Sequence, residues 1–176
     1  MLRQPIKYST RYITFIAVVT AICVVGRYLF QFLPNVQPVT DIIIFITIYF
    51  GFTTGFYVAT LSILISNLLL GFGIWTLPQI LAYSAVVCLS YGLAHYAWFQ
   101  QHLLGQAAFS LFAGYFYGFV VSAGQIPFIG GPRAFIPYYL AGLYFDSLHA
   151  IGNFVIYLAL IPALHRIIKQ FNLDFS

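Results

Sequence analysis

Long apolar runs broken by short clusters of Gly, Pro and side-chain amides dominate the chain, and their lengths and breaks predict six helices. The first runs from about Arg11 to Phe32 and stops before Pro34-Asn35-Val36-Gln37-Pro38, a proline-bracketed polar stretch that cannot continue a helix. A shorter run, Val39 to about Phe50, ends at Gly51. At about 12 residues it is short for a membrane crossing, which takes about 20. The third spans Phe52 to about Leu70 and is closed by Gly71-Phe72-Gly73. After Ile74-Trp75-Thr76-Leu77, Pro78 suits the first turn of a fourth helix reaching about Trp98. Gln100, Gln101 and His102 mark a polar turn before a fifth helix, about Leu104 to Ser122. A Gly/Pro-rich loop over 123–132 leads into the sixth, about Ala134 to Ile168. That stretch is too long for one plain span, so an interfacial first turn is expected around Pro137.

Composition turns these helices into membrane helices. The 176 residues are 62% hydrophobic and 6% charged, whereas a soluble domain carries roughly a quarter charged residues to solvate its surface. A soluble enzyme is excluded, and so is a disordered chain, which would be poor in apolar residues. The expected fold is all-α: an integral membrane protein of six transmembrane helices forming a single domain over residues 1–176. The formal net charge of +4 comes largely from the ends, Arg3, Lys7 and Arg11 at one and Arg166 and Lys169 at the other. With an even number of crossings, both termini share a side, and the positive-inside rule makes it the cytoplasm. This is topological charge, not the stripe of a nucleic-acid binder. The N-terminal apolar run lacks a small-residue cleavage site and reads as a first helix, not a signal peptide. Cys23 and Cys88 stand in apolar stretches without metal-ligand spacing and read as small core residues. The three long connections, at 34–38, 71–77 and 123–133, then all face outward.

Ionisable groups at membrane depth are costly and mark functional candidates. At 1.5 Å per residue, Arg27 lies about 24 Å from Arg11, and Asp146 about 30 Å from Arg166, so opposite charges reach a similar outer level on the first and last helices. Tyr139, Gly142, Asp146, His149, Asn153 and Tyr157 follow 3–4 residue spacing and form one polar stripe. Asn67, Gln79 and Tyr83 approach the same level from the third and fourth helices, which predicts an outward-facing polar cup. The alternative is structural: Arg27 and Asp146 as an ion pair, with Asn153 tying helices together. Asp41, opening the second helix, reads equally as a helix N-terminal charge or a ligand contact. No third group spaced for a metal or a catalytic dyad accompanies Asp146 and His149, so neither metal nor catalytic residues are expected. No P-loop occurs anywhere in the chain, so energy for accumulating a solute must come from an ion gradient or another subunit.

Three stretches carry a resemblance. Arg27…Pro34-Asn35-Val36-Gln37-Pro38-Val39-Thr40, then Ser66-Asn67…Gly71-Phe72-Gly73-Ile74-Trp75-Thr76…Gln79, and Phe145-Asp146…His149…Gly152-Asn153 resemble the substrate-binding S-components of energy-coupling factor (ECF) vitamin transporters, most of all the cobalamin branch. The resemblance covers nearly the whole chain. It implies an S-component that binds a vitamin at the outer face of the cell membrane, the plasma membrane of a bacterium. It further implies docking on a transmembrane coupling subunit that carries two cytoplasmic ATPases, followed by toppling to release the vitamin inside. The chain itself would hold no cofactor, ATP being used by the partner subunits. Ala17 and Ala21, similar to the family's small-residue docking motif, would face the coupling subunit. The pocket would draw on Arg27, Asn35, Gln37, Asn67, Trp75 and Gln79, and on Tyr83, Arg133, Asp146, His149 and Asn153.

Amides, aromatics and Arg would suit the amide-edged corrin and phosphate of cobalamin or a precursor. The same groups would serve pantothenate or another small vitamin. Readings from other classes are a small membrane enzyme and a structural membrane subunit without a ligand.

Overall fold

The computed structural model describes residues 9–171, and all of its regular elements are helices. Arg3 and Lys7 lie outside the described residues, as does the side chain of Lys169. In chain order the helices are α1 (Thr10–Leu29), α2 (Val39–Phe50), α3 (Phe52–Leu70), α4 (Thr76–Leu93), α5 (Ala97–Gln101), α6 (Leu103–Gly124) and α7 (Pro132–Phe171). Helices α1, α3, α4, α6 and α7 are long and apolar enough to cross a membrane; α2, at 12 residues, is shorter.

Local chemistry sets the boundaries. The Ser9 hydroxyl accepts from the Tyr12 amide at the start of α1. Between α2 and α3 a single residue, Gly51 (φ 89°, ψ 174°), reverses the chain, a conformation essentially closed to residues with a Cβ. Helix α4 ends at Leu93, short of the expected Trp98, because the chain turns at Ala94–Tyr96 and the His95 Nδ1 lies 2.8 Å from the Tyr91 carbonyl oxygen. The expected polar turn at 100–102 is largely the short helix α5. Helix α7 starts at Pro132, two residues before the expected Ala134, and runs unbroken through Pro137 and Pro162.

The centre of the bundle is α2. Of its residues only Tyr49 is partly exposed, and it packs against α1, α3, α4, α6 and α7. A helix surrounded by protein must be apolar all round, as Ile42–Ile44, Phe45, Ile46 and Ile48 make it. Its polar side chains are met from within. The Thr47 hydroxyl donates to the Ile43 carbonyl (2.7 Å), Thr40 Oγ1 lies 2.8 Å from His149 Nε2 and 3.2 Å from the Tyr83 hydroxyl, and the Ser110 hydroxyl donates to the Asp41 carboxylate. Asn153 Nδ2 reaches the Ser110 carbonyl oxygen at 3.3 Å, so α2, α6 and α7 are tied at one level.

Helices α6 and α7 pack most extensively, through small residues. A Cβ on Gly114 would lie 2.6 Å from the Ala150 Cα, inside the backbone of α7. We expect Gly114→Ala to destabilise the protein by about 1–3 kcal/mol, read as a fall in Tm in detergent. Gly92→Ala, whose added Cβ would meet nothing within 4 Å, should leave the Tm unchanged or slightly raised.

Candidate functional site

Where α2 gives way to its incoming loop, the bundle opens into a cup of about 400 Å³. Arg27 from α1, Asn35 and Gln37 from the loop, Gln79 from α4, Tyr117 and Gly118 from α6, and Gly142 and Asp146 from α7 all line it. The loop is pinned into this wall. Asn35, at φ 58°, donates from Nδ2 to the Phe145 carbonyl at 3.0 Å, and Val36 packs where a side chain at Gly152 would have to go.

Arg27 is held from the side by a relay of uncharged groups. Its Nη1 donates to Ser66 Oγ at 2.7 Å and to Asn67 Oδ1 at 3.0 Å. Asn67 Nδ2 in turn donates to Thr76 Oγ1 (2.9 Å) and Gln79 Oε1 (2.8 Å). The Asn67 amide is thus spent on orienting its neighbours, and Gln79 accepts through its oxygen.

Asp146 stands on the opposite wall. Its carboxylate lies directly over Gly118, where any Cβ would collide with it. Among the described residues no ion pair joins Asp146 to Arg27, so the structural pairing weighed from the sequence does not form; the Arg27 hydrogen bonds go to α3 instead. Above Asp146 the rim is formed by Gln125 and Tyr138, linked by a 3.2 Å hydrogen bond from the tyrosine hydroxyl to Gln125 Oε1.

The candidate residues therefore separate into three groups. Arg27, Asn35, Gln37, Gln79 and Asp146 share the cup, with Asn67 buried immediately behind Arg27. Tyr83, His149 and Asn153 are buried beneath it, where they serve α2 and α6: Tyr83 and His149 meet Thr40, and the Tyr117 ring packs on both. Trp75 and Arg133 point elsewhere. Trp75 is 42% exposed and folds back over Gly73, and Arg133 is exposed on the first turn of α7. From the α7 stripe, Gly142 and Asp146 reach the cup, Tyr139 packs on Phe119 and Phe135, and Tyr157 donates deep in the bundle to Gln106 Oε1 at 2.9 Å.

The sequence reading missed the wall supplied by α6 and the residue that caps it, namely Tyr117, Gly118, Val121 and Ser122, with Gln125. The spacing Tyr117, Val121, Gln125 was its signal, one residue every four on a single face. Among the described residues, no group of three or more His, Cys, Asp or Glu side chains gathers as a metal site would require.

Removing Asn67 leaves the Arg27, Thr76 and Gln79 groups short of a partner. We expect Asn67→Leu to cost about 1–3 kcal/mol, measured as thermal unfolding of the ligand-free protein in detergent. An unchanged Tm would show that the relay does not support the fold.

Comparison with known proteins attaches no family to this geometry: no family model matches the chain, and neither a curated protein nor a solved structure is significantly similar to it.

Proposed function

We propose that the chain is the substrate-binding S-component of an ECF-type vitamin importer. The observation that carries this reading is the polar cup, placed at one end of an apolar helical bundle and walled by four helices and a pinned loop. Solute sites of this kind are concave, about 300–1,000 Å³, and supply a few convergent polar groups. The cup also uses the stretches on which the resemblance to S-components rests, around Arg27, the 34–38 loop, Asn67 to Gln79, and Asp146.

On this reading α2 completes six crossings, both termini lie in the cytoplasm, and the cup faces outward from a bacterial cell membrane. With no P-loop of its own, the chain relies on a coupling subunit and two ATPases for energy. Ala17 and Ala21 suit a docking face: both are exposed on α1, in line with exposed Ile13 and Val25, and their small side chains leave the strip flat.

The resemblance favours cobalamin or a precursor as substrate. The volume of the cup favours a second reading, a small vitamin such as pantothenate. Some 400 Å³ holds the equivalent of about 13 waters at about 30 Å³ each, so a corrinoid would seat only an edge of its ring.

Equilibrium binding by the purified chain in detergent tests the proposal, with cobalamin, cobinamide, pantothenate and riboflavin side by side. Tight, stoichiometric binding of one vitamin without ATP is the expected result. No binding by a folded sample, or turnover of a substrate by the lone chain, would overturn it. Leu at both Ala17 and Ala21 should abolish uptake in cells while leaving that binding intact, and retained uptake would remove the docking assignment.

A further inference from the structure

Two opposite charges face one small cavity without meeting. Arg27 and Asp146 both line the cup, yet no ion pair joins them among the described residues. Each is held in place by its own supports. Arg27 is drawn toward α3 by Ser66 and Asn67, which are neutral and leave its charge uncompensated. Asp146 makes no hydrogen bond to any described residue and is set against α6 by the absence of a side chain at Gly118.

Such an arrangement is expensive for an empty protein. Asp146 is 7% exposed at the wall of the cup, and no counter-charge among the described residues offsets its partial burial. If the two served only stability, a direct pair would be the cheaper solution. Their separation instead presents a cationic donor on one wall and an anionic acceptor on the other. The unused Arg27 N–H groups suit a carboxylate or phosphate, where a guanidinium binds with two parallel hydrogen bonds. The two Asp146 oxygens, acceptors only when ionised, suit an ammonium or another cationic N–H group.

We propose that the cup selects a compact dipolar ligand, with an anionic group bound by Arg27 and a cationic group bound by Asp146, and that Gly118 positions the Asp146 carboxylate for it. This rests on reading the cup as the vitamin pocket and moves its substrate from cobalamin or pantothenate to a dipolar vitamin. The ligand closes the electrostatic gap that the protein leaves open, so affinity comes from both ends at once. A molecule with one charge satisfies one wall and leaves the other charge desolvated.

Charge-matched scaffolds test this. Binding to the purified chain in detergent is measured for thiamin and thiamin monophosphate, and for pyridoxamine and pyridoxamine 5′-phosphate, with cobalamin and pantothenate alongside. At least one dipolar phosphate is expected to bind roughly 10- to 100-fold tighter than its unphosphorylated partner. Arg27→Gln should erase that preference, and Asp146→Asn should weaken the dipolar member by a similar factor. The ligand-free Tm separates a binding role from a structural one: Asp146→Asn removes an unpaired charge and should raise the Tm by about 2–4 °C. A fall in Tm would mark Asp146 as structural and overturn the proposal. Gly118→Ala, a second route to the same carboxylate, should weaken dipolar binding while leaving Arg27→Gln-sensitive recognition of the phosphate in place. Tight binding of cobalamin or pantothenate with no preference for dipolar ligands would overturn the dipolar assignment and leave the vitamin pocket standing. If nothing in the panel binds to folded protein, both fall.

Discussion

The burial of α2 on every side is the constraint on which the rest of the molecule depends. Twelve residues rise about 18 Å, well short of the roughly 30 Å hydrocarbon core. The helix is therefore too short to span that layer unaided and is held by five neighbouring helices. Its Thr40 and Asp41 would be prohibitive in lipid, and the side chains that meet them come from three other helices: Tyr83 from α4, Ser110 from α6 and His149 from α7. Where α2 stops, the loop from α1 takes over, and the cup lies at that level. The cavity is thus a by-product of a helix that ends early.

Around that cavity the bundle behaves as two walls with different chemistry. The α1–α3–α4 side is polar but closed on itself, each hydrogen bond handing orientation to the next from Arg27 through Asn67 to Gln79. The α6–α7 side relies on shape. Glycines at 114 and 118 let the two helices approach until the backbone of Ala150 and the carboxylate of Asp146 occupy the space of missing side chains. One wall is set by directional bonds and the other by close packing, which fixes both charges without bringing them together.

Much of this was legible in the chain, because lipid leaves few choices. Apolar length, Gly and Pro breaks and the 3–4 residue stripe on α7 located the long helices and brought Arg27, Gln79 and Asp146 to one level. Periodicity names a face, however, not the neighbour that covers it. His149 and Asn153 belong to the same stripe as Asp146 yet turn to α2 and α6, because the loop carrying Val36 fills the space above Gly152. Trp75 looked like a pocket aromatic, but its ring folds onto Gly73 within its own turn. The α6 wall is masked by composition: Tyr117 stands in a helix that reads as apolar almost throughout, and Gln125 lies just past its end, so the two do not read as one face.

Helix α7 carries a consequence of a different kind. Its 40 residues amount to about 60 Å of helix, twice the thickness of the oily layer it must cross. It cannot stand upright within that layer, so it must lean, bend at its prolines or lay its ends along the headgroups. Asp146 is carried about 20 Å along this helix from Pro132, so whatever sets the lean of α7 also sets where one wall of the cup stands. The tilt of α7 and the position of the Asp146 wall of the cup are thus one and the same geometric variable.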